Sequence, residues 1–271
     1  MRGVFAAGVL DVFLESAFDP FELAIGVSAG ACNLASHLAD QHGRNRRSYM
    51  DLMTRREFID HRRVLHGRSV MDLDWLWDAL ARREPLDVEA IARRSTEFIV
   101  VATSRETGQP VYLRPKPKDM ADALKASCAL PVLYRGDVAL AGERLVDGGV
   151  SDPIPAAEAY RRGARRILVV RSRPAASVKT DRFSAWVLAW LLCHEPTLAH
   201  AVRASAARYQ ESVTFLNHPP SDCRIVQIAP PQALATKRTS QDLAALQADY
   251  QLGRRLGGLA MQEWGGAAGP G

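Results

Sequence analysis

The stretch Phe21-Glu22-Leu23-Ala24-Ile25-Gly26-Val27-Ser28-Ala29-Gly30 decides the fold. Residues 21–25 form a short apolar run that reads as a buried strand, and the small residues after Ser28 read as the opening of a helix. Between them Gly26-Val27-Ser28-Ala29-Gly30 fits G-x-S-x-G, a pattern that carries meaning only in this strand–turn–helix setting. Such a turn holds the serine in a strained backbone conformation, so that its hydroxyl projects from the sheet. Gly26 and Gly30 are expected to remove side chains that would collide with strand and helix. The Ala29 N–H, at the helix N-terminus, is expected to face developing negative charge.

A serine hydroxyl is a weak nucleophile and needs a base within hydrogen-bond reach. Asp147 ends the apolar pair Leu145-Val146 and precedes Gly148 and Gly149, which let the backbone turn sharply and leave room for Ser28. Asp-Gly is also a common turn dipeptide, so a structural turn and a general base both remain open here. A Ser–Asp–His triad is a further alternative. Ser28, Asp147 and then His194, His200 or His218 run in the chain order of α/β-hydrolases.

Working outward, apolar residues at Val4, Phe5, Val9, Leu10, Phe13 and Leu14 predict a helix over 2–15 buried on one side. Residues 44–63 read as a basic helix and 71–83 as an amphipathic one. Residues 98–102 and 111–113 read as strands paired across the turn at 107–110, with a short helix over 119–128. Asp152 and Pro153 predict a helix to about Arg162, Asp152 as its N-cap and Pro153 at its first helical position. Strands follow at 167–170 and 225–228. Residues 239–264 predict a terminal helix broken near Gly257-Gly258, and 265–271 a disordered tail. Strands alternating with helices predict an α/β architecture, with a core over 1–180 and a helical C-terminal portion over 181–264.

The 271 residues suffice for one full core, and 47% hydrophobic and 24% charged residues describe an ordinary globular chain. No apolar run is long enough for a transmembrane helix, and Asp11, Glu15 and Asp19 break any signal-peptide pattern. A cytoplasmic protein is therefore expected. Cys32, Cys128, Cys193 and Cys223 form no C-x-x-C pair, so free thiols are expected, and no cluster has metal-ligand spacing. The net charge is +5, and residues 44–68, which open and close on Arg44 and Arg68, carry eight arginines against Asp51, Glu57 and Asp60. A solvated helical face is the ordinary reading, and attraction to anionic lipid is the functional one. Nucleic acid is not an expected partner, because aromatics are few and no binding module is present. Residues 183–193, with Phe183, Trp186, Trp190 and Cys193, are too short to span a bilayer; a core helix or a lipid-facing helix fits.

The sequence as a whole resembles the patatin-like phospholipases. The resemblance rests on Gly26-Val27-Ser28-Ala29-Gly30, on Ala126-Ser127-Cys128-Ala129-Leu130-Pro131, and on Asp147-Gly148-Gly149-Val150-Ser151-Asp152-Pro153-Ile154-Pro155, in family order. The opening Arg2-Gly3-Val4-Phe5-Ala6-Ala7-Gly8-Val9-Leu10 is similar to the end of the family's glycine-rich motif and the helix after it. Coverage is about residues 2–171, and bacterial members with a helical C-terminal portion are the nearest in character. The resemblance implies a three-layer α/β/α fold with a mostly parallel central sheet and hydrolysis of lipid acyl esters. It implies a Ser28–Asp147 dyad without histidine and without cofactor, the 126–131 segment serving packing. Family members carry G-G-G-x-R-G after a buried strand, whereas this sequence opens Met1-Arg2-Gly3. That first strand and the leading glycines are thus missing from this sequence, for which a start upstream of Met1 is the favoured explanation and a truncated relative the other; Gly3 is left as an oxyanion donor and Arg2 as electrostatic support. Peripheral membrane contact through 44–68 and 183–193 is a separate expectation. The non-enzymatic alternative is a truncated, lipid-binding relative that kept the fold without the full oxyanion hole.

Overall fold

Alternation along two strands sorts the helices into layers. The computed structural model describes residues 1–67, 69–134, 136, 138–140, 142–175 and 190–265. In β6 (Arg166–Val170), Ile167 and Val169 face one side and Leu168 and Val170 the other, as period-two geometry requires. The first side meets α7 (Ala156–Arg161) and α8 (Pro196–Asn217) through Ala159, Tyr209 and Val213. The second meets α1 (Val4–Glu15) and α9 (Leu243–Gly265) through Phe5, Val9 and Ala260. β1 (Leu23–Val27) shares the layer: Leu23 and Ile25 join the α7–α8 side, and Ala24 faces α2 (Ala29–Leu38). This is the expected α/β/α arrangement.

The central strand is β2 (Glu97–Ser104), buried from Phe98 onward. β1 pairs with it in parallel, Val27 opposite Val101. β3 (Pro110–Leu113) pairs antiparallel across the predicted turn and covers one edge of β2 from Val100 to Thr103. β5 (Glu143–Asp147) is also antiparallel to β2, Asp147 opposite Ala102, and β4 (Val138–Leu140) extends the sheet beyond it. Because β3 holds one edge, β1 and β5 meet end to end on the other. β7 (Arg224–Ile228) runs parallel to β6. Parallel pairing thus joins β1 to β2 and β6 to β7, with β3, β4 and β5 added antiparallel.

Among the described residues no strand lies between β1 and β6. Each keeps one edge unpaired, and a space of about 1140 Å³ lies between them, from Leu23–Val27 on one wall to Ile167–Arg171 on the other; Met1, Arg2 and Gly3 border it, where this sequence opens without the strand expected before Arg2. The layers are tied behind this cleft by α1 and α9, whose backbones touch. A Cβ on Gly253 would sit 2.0 Å from the Phe5 carbonyl oxygen, and one on Gly8 would sit 2.1 Å from that of Tyr250, so only glycine fits. Asp11, buried in this contact, accepts from the Tyr250 hydroxyl at 2.7 Å and from the Gly43 N–H at 3.1 Å.

Several elements differ from the sequence expectation for local reasons. The helix expected from Pro153 starts only at Ala156, because Pro155 disfavours helical backbone at Ile154. Asp152 is accordingly no N-cap; its carboxylate accepts from the Tyr112 hydroxyl at 2.7 Å. α9 runs unbroken through Gly257 and Gly258, since Gly257 is packed on Val9 and Val12 of α1. Residues 44–63 are not one solvated helix but α3 (Arg44–Arg47), a π-turn over Ser48–Leu52 and a 3₁₀ turn over His61–His66. Arg44 is buried, donating to Ser36 Oγ at 2.8 Å and to the Glu84 carbonyl at 2.9 Å, which removes it from any lipid-facing surface. α4 (Leu73–Arg83) and α6 (Met120–Cys128) lie where expected, with α5 (Val88–Arg93) between them. Residues 183–189 of the apolar stretch and 266–271 of the tail fall outside the described residues. Trp190 and Leu191 are exposed, and Gly265 closes α9.

Candidate active site

Ser28 stands where β1 ends and α2 begins, with φ +53° and ψ −130°, the strained elbow the motif predicts. Gly26 is required there, because a Cβ would lie 2.4 Å from the Ala31 Cα. Gly30 is different: a Cβ would meet nothing within 4 Å, so the expected collision applies to Gly26 alone. The strained Ser28 N–H donates to Ser127 Oγ at 2.7 Å, and the Ser127 hydroxyl donates to the Val101 carbonyl at 2.6 Å. The 126–131 segment, expected only to pack, therefore fastens the elbow to the central strand.

The sheet register explains why Ser28 and Asp147 meet. Val27 is opposite Val101 and Asp147 is opposite Ala102, so the ends of β1 and β5 abut on one edge of β2. Ser28 Oγ donates to Asp147 Oδ2 at 2.6 Å, and the Gly149 N–H donates to Asp147 Oδ1 at 2.8 Å. Both carboxylate oxygens are thereby held. Gly148 is required because its backbone lies against β2, where a Cβ would come within 2.2 Å of the Val101 carbonyl. Asp147 is 3% exposed, and burial pushes its carboxyl above the ordinary range. The Ser28 hydroxyl, the Gly149 N–H and the charge of Arg238 pull the other way.

Ala29 lies in the first turn of α2, where backbone N–H groups have no intrahelical acceptor, and it lines the cleft beside Ser28. Gly3 lies next to it: a Cβ on Gly3 would approach the Ala29 Cβ to 2.8 Å, and its carbonyl accepts from Asn33 Nδ2 at 2.8 Å. Arg2 lines the same cleft. Cys32 and Cys128 place their sulfurs 3.6 Å apart, both against the cleft as free thiols. The Cys128 hydrogen bond draws the Cys32 thiol below its usual range, and that same pairing and burial hold Cys128 above it. Among the described residues no group of three His, Cys, Asp or Glu side chains is arranged to hold a metal ion. His194, His200 and His218 are exposed and outside the cleft. His37 lines it, with Nε2 3.8 Å from Asp19 Oδ1.

The opposite wall carries residues that sequence reading did not single out. Arg171 is buried and donates to the Tyr209 hydroxyl at 2.8 Å and to Gln227 Oε1 at 3.1 Å. Arg173 sits over the Tyr209 ring, 5.1 Å from its centre. The Arg238 carbonyl accepts from the Met1 nitrogen at 2.7 Å, which sets Arg238 beside Arg2. Arg171 and Arg173 meet Tyr209 and Arg238 from distant parts of the chain, and none of them belongs to a motif, so nothing in the sequence marks them.

Comparison with known proteins identifies the family. Residues 1–160 match the family model for patatin-like phospholipase, and residues 195–267 match that of a domain of unknown function, DUF6363. The chain is 37% identical to the uncharacterized protein YjjU of Escherichia coli (strain K12) over 261 residues, covering 94% of this chain and 73% of that protein. With well over half of its length matched to one family model, and that half containing both Ser28 and Asp147, the chain belongs to the patatin-like phospholipase family of lipid hydrolases.

Proposed function

We propose that this chain is a lipid acyl hydrolase that works through Ser28 and Asp147. The observation that carries the reading is the 2.6 Å hydrogen bond from Ser28 Oγ to a buried carboxylate whose other oxygen is already held by Gly149. Ser28 Oγ attacks the ester carbonyl carbon while its proton passes to Asp147, and the alcohol leaves protonated. Asp147, ionised again, takes a proton from water, which attacks the acyl-enzyme and releases the fatty acid. The Ala29 N–H and the Gly3 N–H are the donors for the oxyanion, with Arg2 adding positive charge. A dyad rather than a triad is favoured because Asp147 spends both oxygens on Ser28 and Gly149, whereas His194, His200 and His218 face solvent.

The test is fluorophosphonate labelling of the purified chain with peptide mapping, alongside ester turnover. Label on Ser28, its loss in Ser28→Ala, and retained turnover when His194, His200 and His218 are each replaced by Ala support the dyad. Loss of turnover in one histidine variant would move the base to that histidine.

Contact with an anionic lipid surface is part of the proposal. No described helix is long and apolar enough to cross a membrane. Arg46, Arg55, Arg56 and Arg62 are exposed on the basic segment, whereas Arg44 is buried and Arg47 is bound to Glu84. Co-sedimentation with vesicles is expected to rise with anionic lipid and fall with salt; binding indifferent to both would remove this part.

A further inference from the structure

The cleft has two chemically different walls, and ester cleavage uses nothing of the second except the charge of Arg2. Arg2, Arg171, Arg173 and Arg238 all line the cleft that holds Ser28 and Asp147. Among the described residues none of the four has a carboxylate within ion-pair distance, although other arginines of the chain, such as Arg47, Arg94, Arg105 and Arg254, do. Tyr209 collects two of them: its hydroxyl accepts from Arg171, and its ring lies beneath Arg173. Arg171 Nε is buried without a hydrogen-bond partner. Arg238 joins the cluster close enough for its charge to act on that of Arg2. Like charges are not gathered beside a substrate cleft without an electrostatic penalty, and the guanidinium of Arg2 shows it: burial, then Arg173 and Arg238, push it down to about 10.

A set of guanidinium groups with no acidic partner, held by an aromatic ring and opening into a cleft, is the chemistry that takes a phosphate. We propose that Arg2, Arg173 and Arg238, with Arg171 and Tyr209 behind them, form an anion site that holds the phosphate of a lipid headgroup while Ser28 meets its acyl ester. Tyr209 and Arg238 both lie within residues 195–267, so the region matching a domain of unknown function completes the substrate site of the hydrolase. The inference rests on the lipid hydrolase reading for its choice of ligand. The arginine arrangement itself does not depend on turnover.

The experiment compares two esters of equal chain length on the full chain: dihexanoyl phosphatidic acid, which carries the phosphate, and dihexanoylglycerol, which lacks it. Arg173→Gln and Arg238→Gln are each expected to lower the ratio of kcat/KM for the first over the second about tenfold to a hundredfold, chiefly through KM. Arg238→Lys is expected to recover part of that loss, and Arg255→Gln, an exposed arginine of α9 outside the cleft, to keep the wild-type ratio. An unchanged ratio in both Gln variants overturns the anion site and leaves the hydrolase reading standing. A second arm reads binding without turnover, by calorimetry with a diether phosphatidate that cannot be cleaved. Binding that is lost in Arg238→Gln, from a chain that cleaves no ester, keeps the anion site and removes the hydrolase reading. Displacement of the diether lipid by inorganic phosphate at equal concentration overturns the headgroup assignment in favour of free phosphate.

Discussion

The two walls of the cleft hold charge in opposite ways. On the β1–β5 wall a single carboxylate is buried, and each oxygen is matched to one donor, Ser28 Oγ and the Gly149 N–H. On the β6–α8 wall and its Arg238 extension, positive charge accumulates without an acidic partner among the described residues. The first arrangement is complete without a ligand; the second is complete only with an anion. The comparison separates the part of the site built for bond cleavage from the part built for recognition, with Arg238, whose charge reaches Asp147, and Arg2 as the points where the two meet.

The largest effect is expected from Asp147→Asn. Asparagine keeps the acceptor for Ser28 but cannot take its proton, so turnover should fall by about 10⁴-fold. Stability should move the other way. Burial raises the folded-state pKa of Asp147 above its unfolded value. The stabilisation linked to it is then fully present below the unfolded pKa and is lost as pH rises through the folded one. At neutral pH the ionised, buried Asp147 therefore works against folding, and Asp147→Asn is expected to melt at a higher temperature than wild type. The wild-type pH–rate profile should lose activity on the acid side at a pH above that of an ordinary carboxylate, as Asp147 takes up its proton. A melting temperature that falls in Asp147→Asn would show that its two hydrogen bonds outweigh burial.

A smaller effect, on the same wall, is expected from Ser127→Ala. It leaves the strained Ser28 N–H and the Val101 carbonyl without their shared partner. Unmade buried hydrogen bonds cost about 1–3 kcal/mol each, so denaturant midpoints should drop accordingly. Because the elbow loses its tether to β2, kcat should fall by about tenfold or more, a 1.4 kcal/mol loss per decade, with KM for either ester nearly constant. If KM rises instead, Ser127 belongs to binding and the division between the walls fails at that point.

How much of this was legible differs between the walls for a physical reason. Ser28, Gly26 and the strand before them form one local turn, whose strain and close approach are written in consecutive residues. Asp147 was nominated by its glycines, but the contact with Ser28 depends on β1 and β5 abutting on β2, a register that no local pattern carries. Ser127 reads as packing because a serine in a helix ending at Cys128 gives no sign of the backbone groups it bridges. The motif predicts a steric role for Gly30 that the open space beside it does not support. The arginine wall was invisible, since Arg2, Arg171, Arg173, Tyr209 and Arg238 come together only through the packing of α8 on β6 and of the 238 segment on the first residues. The break expected at Gly257-Gly258 shows the converse error: those residues read as a helix end, but Gly257 serves the close contact of α9 with α1.

The smallest expected effect tests the comparison without a mutation. Exposed charges are screened over about 8–10 Å at physiological salt, whereas a buried, hydrogen-bonded pair is screened much less. The bond between Ser28 and Asp147 lies inside the β1–β5 wall, while Arg238 lines the cleft as an exposed residue. Raising the salt from low to physiological strength should therefore raise KM for dihexanoyl phosphatidic acid severalfold and leave kcat for dihexanoylglycerol nearly constant. To keep surface attraction out of the result, both esters should be held below the concentration at which they form micelles, so that the basic 44–63 segment has no lipid surface to meet. Equal salt effects on the two esters would place the charge dependence in the cleavage step, and would contradict the assignment of recognition to one wall and chemistry to the other.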